Sequence, residues 1–541
     1  MRSCGESHAQ GGRITSVRFR RLRLSTVVLV ATCLIACMGI LPGCSPETGQ
    51  TDQSSAAAGT ERLLGDLYSA DIYTRTEAAA ALGRQKEAQA VDPLIEYLKD
   101  GMDAYSGYTA REEIVFLQTV IAALGEIGDE RAVEPLLDIH KSAEDRGIRF
   151  GASARDALIM IGESAIEPLI ASMEGENTDY TRRVIGMLGK IGGERAVGIL
   201  AGYLDDPDLG YDAVAALGDT GESSAVPYLE ECLNNDYGLT SRAAEALGKI
   251  GTPEAERALI AALHNPDAET LSGVPTALGS FKNRDAIDAL IAARAKVEYT
   301  HVVDFGSELD RVLIAMGADA VEPLLLRLGE HDEQNDRPWL LYILGAIRDA
   351  RAVAPLIAIM RDEGDECRGN AAETLGKIGD ESAVGPLIDT MLDYYSAGRR
   401  DFDSFGWDVA KALGSIGNEQ AVSALLSALD SYHEVYTRME IADAVSMVDD
   451  PRCVGRLEKA LEEKDLTVVA GVIEYYIRLG KEGSEETLIA TLKDFYYTTA
   501  VPLYSSGNET LKQAALDWAG ENGYVFRITG FGPSAAWGSG G

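Results

Sequence analysis

The sequence predicts an all-α chain, an α-solenoid of about thirteen two-helix repeats. Three observations carry this. First, one frame returns throughout: Ala123-Leu-Gly-Glu-Ile-Gly-Asp-Glu-Arg-Ala-Val-Glu-Pro-Leu-Leu137 reappears as Thr374-Leu-Gly-Lys-Ile-Gly-Asp-Glu-Ser-Ala-Val-Gly-Pro-Leu-Ile388. Its first glycine slot falls at positions 83, 125, 159, 189, 218, 248, 279, 314, 345, 376, 414, 446 and 477, with Ile, Ile, Ser and Ile at 159, 314, 446 and 477. The spacing centres on about 31 residues, too short for independent domains. Second, Ala371, Ala372, Leu375 and Ile378, then Ala383, Val384, Leu387, Ile388 and Met391, recur at helical spacing. Third, hydrophobic residues are 46%, charged residues 25% and aromatics only 7%, which fits a folded helical chain better than a β-rich or disordered one.

The N-terminus reads as an export signal over residues 1–43. Arg13, Arg18, Arg20, Arg21 and Arg23 precede an apolar run from Ser25 to Leu41. Leu41-Pro42-Gly43-Cys44 comes next and resembles a bacterial lipoprotein signal, with Cys44 as the lipidated residue. Cys37, after Leu34-Ile35-Ala36, is the competing position, and an uncleaved anchor is the alternative to cleavage. Either way the bulk of the chain is expected outside the cytoplasm, in the cell envelope, attached to a membrane through its lipid. Residues 44–60 are then a flexible tether, 61–494 the solenoid, 495–527 a C-terminal capping segment and 528–541 a disordered Gly/Ser-rich tail.

Within each repeat the second glycine of the frame, as in Gly379, suits a left-handed C-terminal cap, and Asp380 caps the next helix. The first glycine lies inside the first helix, where it costs roughly 0.5–1 kcal/mol relative to Ala. Its return predicts that the paired helix packs too close for a side chain. Proline at 93, 135, 168, 227, 323, 355 and 386 falls early in the second helix, where a missing N–H is tolerated. Cys232, Cys367 and Cys453 occupy repeat slots in separate units, Cys232 in the place of Leu98, and read as core residues.

The frame resembles the short HEAT-like repeat named after phycobilin lyases, over roughly residues 65–493. The resemblance implies a solenoid whose second helices line the concave surface. The two residues after each Pro-Leu-Ile step, such as Glu96/Tyr97, Ala171/Ser172, Ala261/Ala262 and Ser427/Ala428, are then expected to point into it. Family members include pigment lyases, iron-dependent hydroxylases and binding scaffolds.

The charge excludes one class and the motifs argue against others. With 49 Lys+Arg against 86 Asp+Glu the net charge is −37, the wrong sign for a nucleic-acid binder. His433-Glu434 is the sole His-Glu pair and His331-Asp332 a loose variant, too few ligands for a di-iron site. No phosphate loop, nucleophile elbow or zincin helix occurs. The acidic loops at 204–208 and 361–366 lack a dedicated calcium spacing, and Asp206 before Pro207 reads as a helix cap. No enzyme, cofactor or metal is expected. The expected function is a protein-interaction scaffold for a protein partner; the alternatives are a lyase or hydroxylase enzyme and a structural spacer. Insertions lengthen the repeats near 101–112, 142–150, 296–307 and 394–407. The last, Tyr394 to Trp407, combines five aromatics with Arg399 and Arg400, and Tyr395, Arg399, Arg400 and Trp407 are the expected partner-binding anchors.

Overall fold

The computed structural model describes residues 51–104, 110–146, 150–175, 177–235, 238–263, 273–296, 303–330, 336–397 and 404–526. Among them every regular element is a helix. First and second helices alternate: Ile72–Arg84 with Val91–Ala104, Arg111–Ile127 with Val133–Arg146, Thr178–Ile191 with Gly193–Ala201, and so on through Arg368–Ile378 with Val384–Ser396, Phe405–Ile416 with Glu419–Ser431, and Val435–Ser446 with Pro451–Glu462. The chain is an all-α solenoid. Its core is one continuous apolar layer between the two helix rows, from Leu67 to Ala515.

The local reasons are those of the repeat frame. Gly128, Gly251, Gly379 and Gly417 end first helices with φ of 76, 65, 76 and 59°. Asp129, Asp349 and Asp380 then accept the backbone N–H two residues on and open a one-turn 3-10 segment before the second helix. In Asp129/Arg131 and Asp349/Arg351 the arginine folds back onto the cap and reaches the preceding repeat, Arg131 to Asp92 Oδ2 at 2.7 Å. Pro386 thus lies in the first turn of Val384–Ser396, as its missing N–H requires.

The recurrent first glycine has a different neighbour from the one expected. It does not face its paired second helix; it faces the first helix of the next repeat. A Cβ on Gly83, Gly125, Gly218 or Gly376 would lie 2.8, 2.7, 2.6 or 2.7 Å from the Cα of Ala123, Ala157, Ala246 or Ala412. Each of these glycine slots therefore packs on the alanine two residues before the next slot, whereas Gly279 and Gly345 meet Val312 and Thr374 at the same offset. This is the joint that stacks the repeats.

Three further expectations need adjustment. Leu229 and Leu233 are buried as Leu94 and Leu98 are, so Cys232 stands in the place of Tyr97, not of Leu98. Cys232, Cys367 and Cys453 are buried free thiols, and burial raises the pKa of the last two. Asp206 accepts from the N–H groups of Asp208 and Leu209 and closes a turn; the next helix begins at Gly210, not at Pro207. The helix Thr51–Asp66 starts inside the span expected as a tether; Ala56-Ala57-Ala58 favours helix and Leu63 and Leu64 pack on the core.

Beyond residue 462 the pattern loosens. The thirteenth first helix is broken at Val472 (φ −128°, ψ 36°) into Leu466–Gly471 and Ile473–Leu479. Helix Leu492–Ser505 is kinked at Phe495 and contains Pro502, and Glu509–Asn522 comes after it, capped by Asn508.

Candidate protein-interaction groove

Of the anchors expected in the insertion, Arg399 and Arg400 lie outside the described residues, as does Phe402. Tyr395 is not on the surface. It is 9% exposed, its ring packs on Tyr394 and Tyr432 at 5.6 and 5.5 Å, and its hydroxyl donates to Glu440 Oε2 at 3.0 Å. Burial first, then the Glu440 charge, pushes that hydroxyl's pKa far up, so it remains a neutral donor. Tyr394 and Phe405 are buried too, with rings 5.4 Å apart, and the Arg368 guanidinium lies 3.6 Å from the Phe405 centroid. The flanks of the insertion thus form a hydrophobic plug. Its glycine, Gly406, leaves room for Tyr394, whose Cε1 would be 2.6 Å from an added Cβ.

Trp407 is the exception. It is half-buried on the first-helix row, with Nε1 donating to Asp443 Oδ2 at 2.8 Å and Lys411 Nζ 4.5 Å from its ring. It borders an open groove of about 500 Å³ shared with Met439, Glu440, Asp443, Ser446, Gly471 to Tyr475, Arg478, Thr498 and Pro502.

The groove follows from a broken joint. The stacking rule pairs slot 446 with residue 475. At most regular joints such a pair is glycine and alanine; here it is Ser446 and Tyr475, and both line the groove. The close approach moves instead to Gly471, where an added Cβ would sit 2.8 Å from Met439 Cα. Val472 breaks the helix directly after this contact, and the walls diverge beyond it.

The polar groups of the groove are mostly anionic. Glu440 and Asp443 are three residues apart on Val435–Ser446 and so share a face. Each accepts from a neutral donor, Tyr395 and Trp407 respectively. Glu474 stands on the opposite wall with Arg478 at 3.9 Å, both about two-fifths exposed. Sequence reasoning missed Glu440, Asp443 and Tyr475. The signal for them was the degenerate slots 446 and 477, which count only once the pairing rule is known.

The other expected surface is half present. In the pairs after the Pro-Leu-Ile step the first residue faces solvent, as Ala171, Ala261 and Ser427 do, whereas Ser172, Ala262 and Ala428 are buried. A helix face repeats every 3.6 residues, so two successive positions cannot both clear the neighbouring helix. Among the described histidines, His140 is buried with Nδ1 3.2 Å from Gly151 O, and His433 is exposed. Among the described residues no three His, Cys, Asp or Glu side chains gather as a metal site. Asp365 of the second acidic loop is bound by Arg337, at 2.9 and 2.6 Å.

The model for HEAT repeats matches residues 60–159, 166–240, 236–300, 321–402 and 406–478, well over half of the chain. The comparison with curated proteins finds no match. Among solved structures, the karyopherin Kap121p is similar at 11% identity and a TM-score of 0.38, over 86% of this chain and 56% of that one. Kap121p bound to Nup53p gives 12% and 0.39, over 87% and 57%. An engineered protein gives 18% and 0.23, over 72% of this chain and 99% of its own. This chain spans little more than half the length of the karyopherin it matches.

Proposed function

The chain belongs to the HEAT-repeat family, and from that premise we propose that it is a non-enzymatic protein-interaction scaffold tethered to the cell envelope. The observation that carries the reading is the groove at the Ser446/Tyr475 joint. Trp407 and Tyr475 offer half-buried rings there, and fixed carboxylates surround them. Large rings in a partly desolvated recess beside charged groups are the features that dominate protein–protein binding energy. Within the family, the Ala-Leu-Gly-x-Ile-Gly frame supports the short phycobilin-lyase type of repeat, read here as a building unit and not as an activity.

The tether rests on sequence: the basic, apolar, then Gly43-Cys44 order supports lipidation at Cys44. No described helix is long and apolar enough to cross a membrane. Cys44→Ser is expected to abolish lipid attachment; unchanged attachment moves the modification to Cys37 or favours a plain anchor. For the scaffold, a photo-crosslinking residue at 407 is expected to give one dominant protein adduct in cells. The same residue at Tyr211, which is 52% exposed on a regular first helix, is expected to give none. Equal or absent adducts at both positions refute the scaffold reading and leave the spacer.

A further inference from the structure

On the interior first helices Tyr211 and Tyr342 stand singly, half exposed, each with a cation on its ring: Arg242 at 4.0 Å and Lys377 at 5.8 Å. The last described helix pair, Leu492–Ser505 with Glu509–Asn522, differs. Tyr497, Val501 and Tyr504 recur on it at helical spacing. The segment Tyr524-Val525-Phe526 is pinned alongside by its rings. Phe526 stacks on Tyr504 at 4.4 Å and 6°, and Tyr524 lies 5.2 Å from Trp518 and 5.9 Å from Tyr496. The result is a preset apolar band in which Tyr497 is 81%, Val525 84%, Val501 59% and Tyr524 49% exposed. These four side chains leave about 450 Å² in water, the size of the largest, often functional, patch on a monomer. A solenoid end that stands alone needs a polar face. The opposite end has one, with Glu61 and Arg62 exposed on Thr51–Asp66. Beside the band Lys493 and Asp494 are adjacent and exposed, and no ion pair among the described residues takes up either.

We infer that this band binds a second copy of the chain, the two joined end to end about a two-fold axis, with Lys493 of each copy against Asp494 of the other. A two-fold interface is self-complementary. It needs an apolar patch that can face itself and charges of both signs on the same patch, and neighbouring Lys493 and Asp494 supply them. Two such bands give on the order of 900 Å² of apolar contact. With the usual polar share of somewhat under half, the whole interface reaches about 1,600 Å², the standard size for a stable complex. The net charge of −37 does not oppose it. At about 0.15 M salt the screening length is roughly 8 Å, and end-to-end pairing keeps the two acidic bodies farther apart than that. The inference goes beyond the scaffold reading and does not depend on it.

The test is sedimentation velocity of the purified chain over about 1 to 100 µM, where the wild type is expected to pass from monomer to dimer. Tyr497→Ser with Val525→Ser changes two exposed side chains of the band and is expected to raise the dimer dissociation constant at least about tenfold. Tyr68→Ser with Tyr73→Ser, at 63% and 66% exposure near the other end, is expected to change it less than about twofold. A charge exchange tests the two-fold pairing itself. Lys493→Glu sets acid against acid across the axis, and Asp494→Lys sets lysine against lysine, so each variant alone is expected to dimerise at least about fivefold more weakly. An equimolar mixture of the two is expected to regain the wild-type dimer, because each introduced charge then faces its opposite. That rescue excludes misfolding as the cause of the loss. A monomer at every concentration, open-ended polymers, equal weakening by both serine pairs, or no rescue on mixing overturns the inference. A dominant protein adduct at position 407 alongside any of these leaves the scaffold standing and the pairing refuted.

Discussion

Helix Thr178–Ile191 contains two glycines three residues apart, and replacing each by alanine should move stability in opposite directions. Gly186 is exposed, and an added Cβ would meet nothing within 4 Å. Only the backbone propensity changes there, so Gly186→Ala should stabilise by about 0.5–1 kcal/mol. Gly189 is buried at a stacking joint, where a Cβ would sit 2.7 Å from Ala216 O and 2.8 Å from Ala216 Cα and Cβ. Ordinary carbon contacts are about 3.5–4.0 Å, so the joint must open by nearly 1 Å. All three close atoms belong to a helix backbone or its Cβ, and none can rotate away. Overpacking of this kind costs about 1–3 kcal/mol, which outweighs the propensity gain and leaves Gly189→Ala destabilised by about 1–2 kcal/mol. Urea unfolding followed by far-ultraviolet circular dichroism gives the two midpoints, and hydrogen exchange localises the loss to the Thr178–Ile191 and Gly210–Asp219 joint. A stabilised Gly189→Ala, or the same sign for both variants, refutes the account of the joint.

Two further predictions test the core and the caps. Leu247 is fully buried in a regular repeat, and Leu247→Ala should cost about 2–5 kcal/mol; because each repeat contacts only its neighbours, the melt should broaden or split, and a sharp transition merely shifted down would argue for one cooperative unit. Asp450, which caps Pro451–Glu462, has its pKa lowered chiefly by the Arg452 side chain and then by the Arg452 N–H. A depressed carboxylate contributes stability above its unfolded value of about 4 that is lost as pH falls through the folded value. The melting difference between wild type and Asp450→Asn should therefore be full from about pH 5 to 8 and close below about pH 4, and a difference that grows on acidification contradicts this.

The repeat was legible because its signals are local. A left-handed cap needs glycine wherever it occurs, a first-turn proline loses no hydrogen bond, and both recur in Gly379 and Pro386 as the sequence indicates. The partner of the first glycine was not legible, since a close approach shows in one chain segment but its other half lies 27 to 40 residues away, as in Gly189/Ala216 and Gly83/Ala123. The same limit explains Tyr395. As a residue in a long insertion it reads as an exposed anchor, yet the insertion begins one helical turn later than the repeat length implies. Tyr394 and Tyr395 still belong to helix Val384–Ser396, and their rings are buried in its packing. Trp407 is half-buried beside the groove, and no repeat core position demands an indole there.

The pairing rule also explains why the degenerate joint 446/475 is a groove where two other degenerate joints are not. Slot 159 pairs with Met187 and slot 314 with Ile343, so these joints also lack the glycine–alanine contact. There, however, both members are hydrocarbon; Ile159 and Ile314 are half-buried, and Met187 and Ile343 are 1% and 0% exposed. They fill the widened gap, and apolar surface removed from water holds the helices together. Ser446 is too small and polar to fill the space, and Tyr475 is only half-buried. Closing the joint would bring Glu440, Asp443 and Glu474 together with little apolar gain. The helix breaks at Val472 instead, and the space stays open. A degenerate slot is therefore not a defect in itself. It becomes an open recess where the replacing side chains cannot satisfy one another, and the pair 446/475 meets that condition where 159/187 and 314/343 do not.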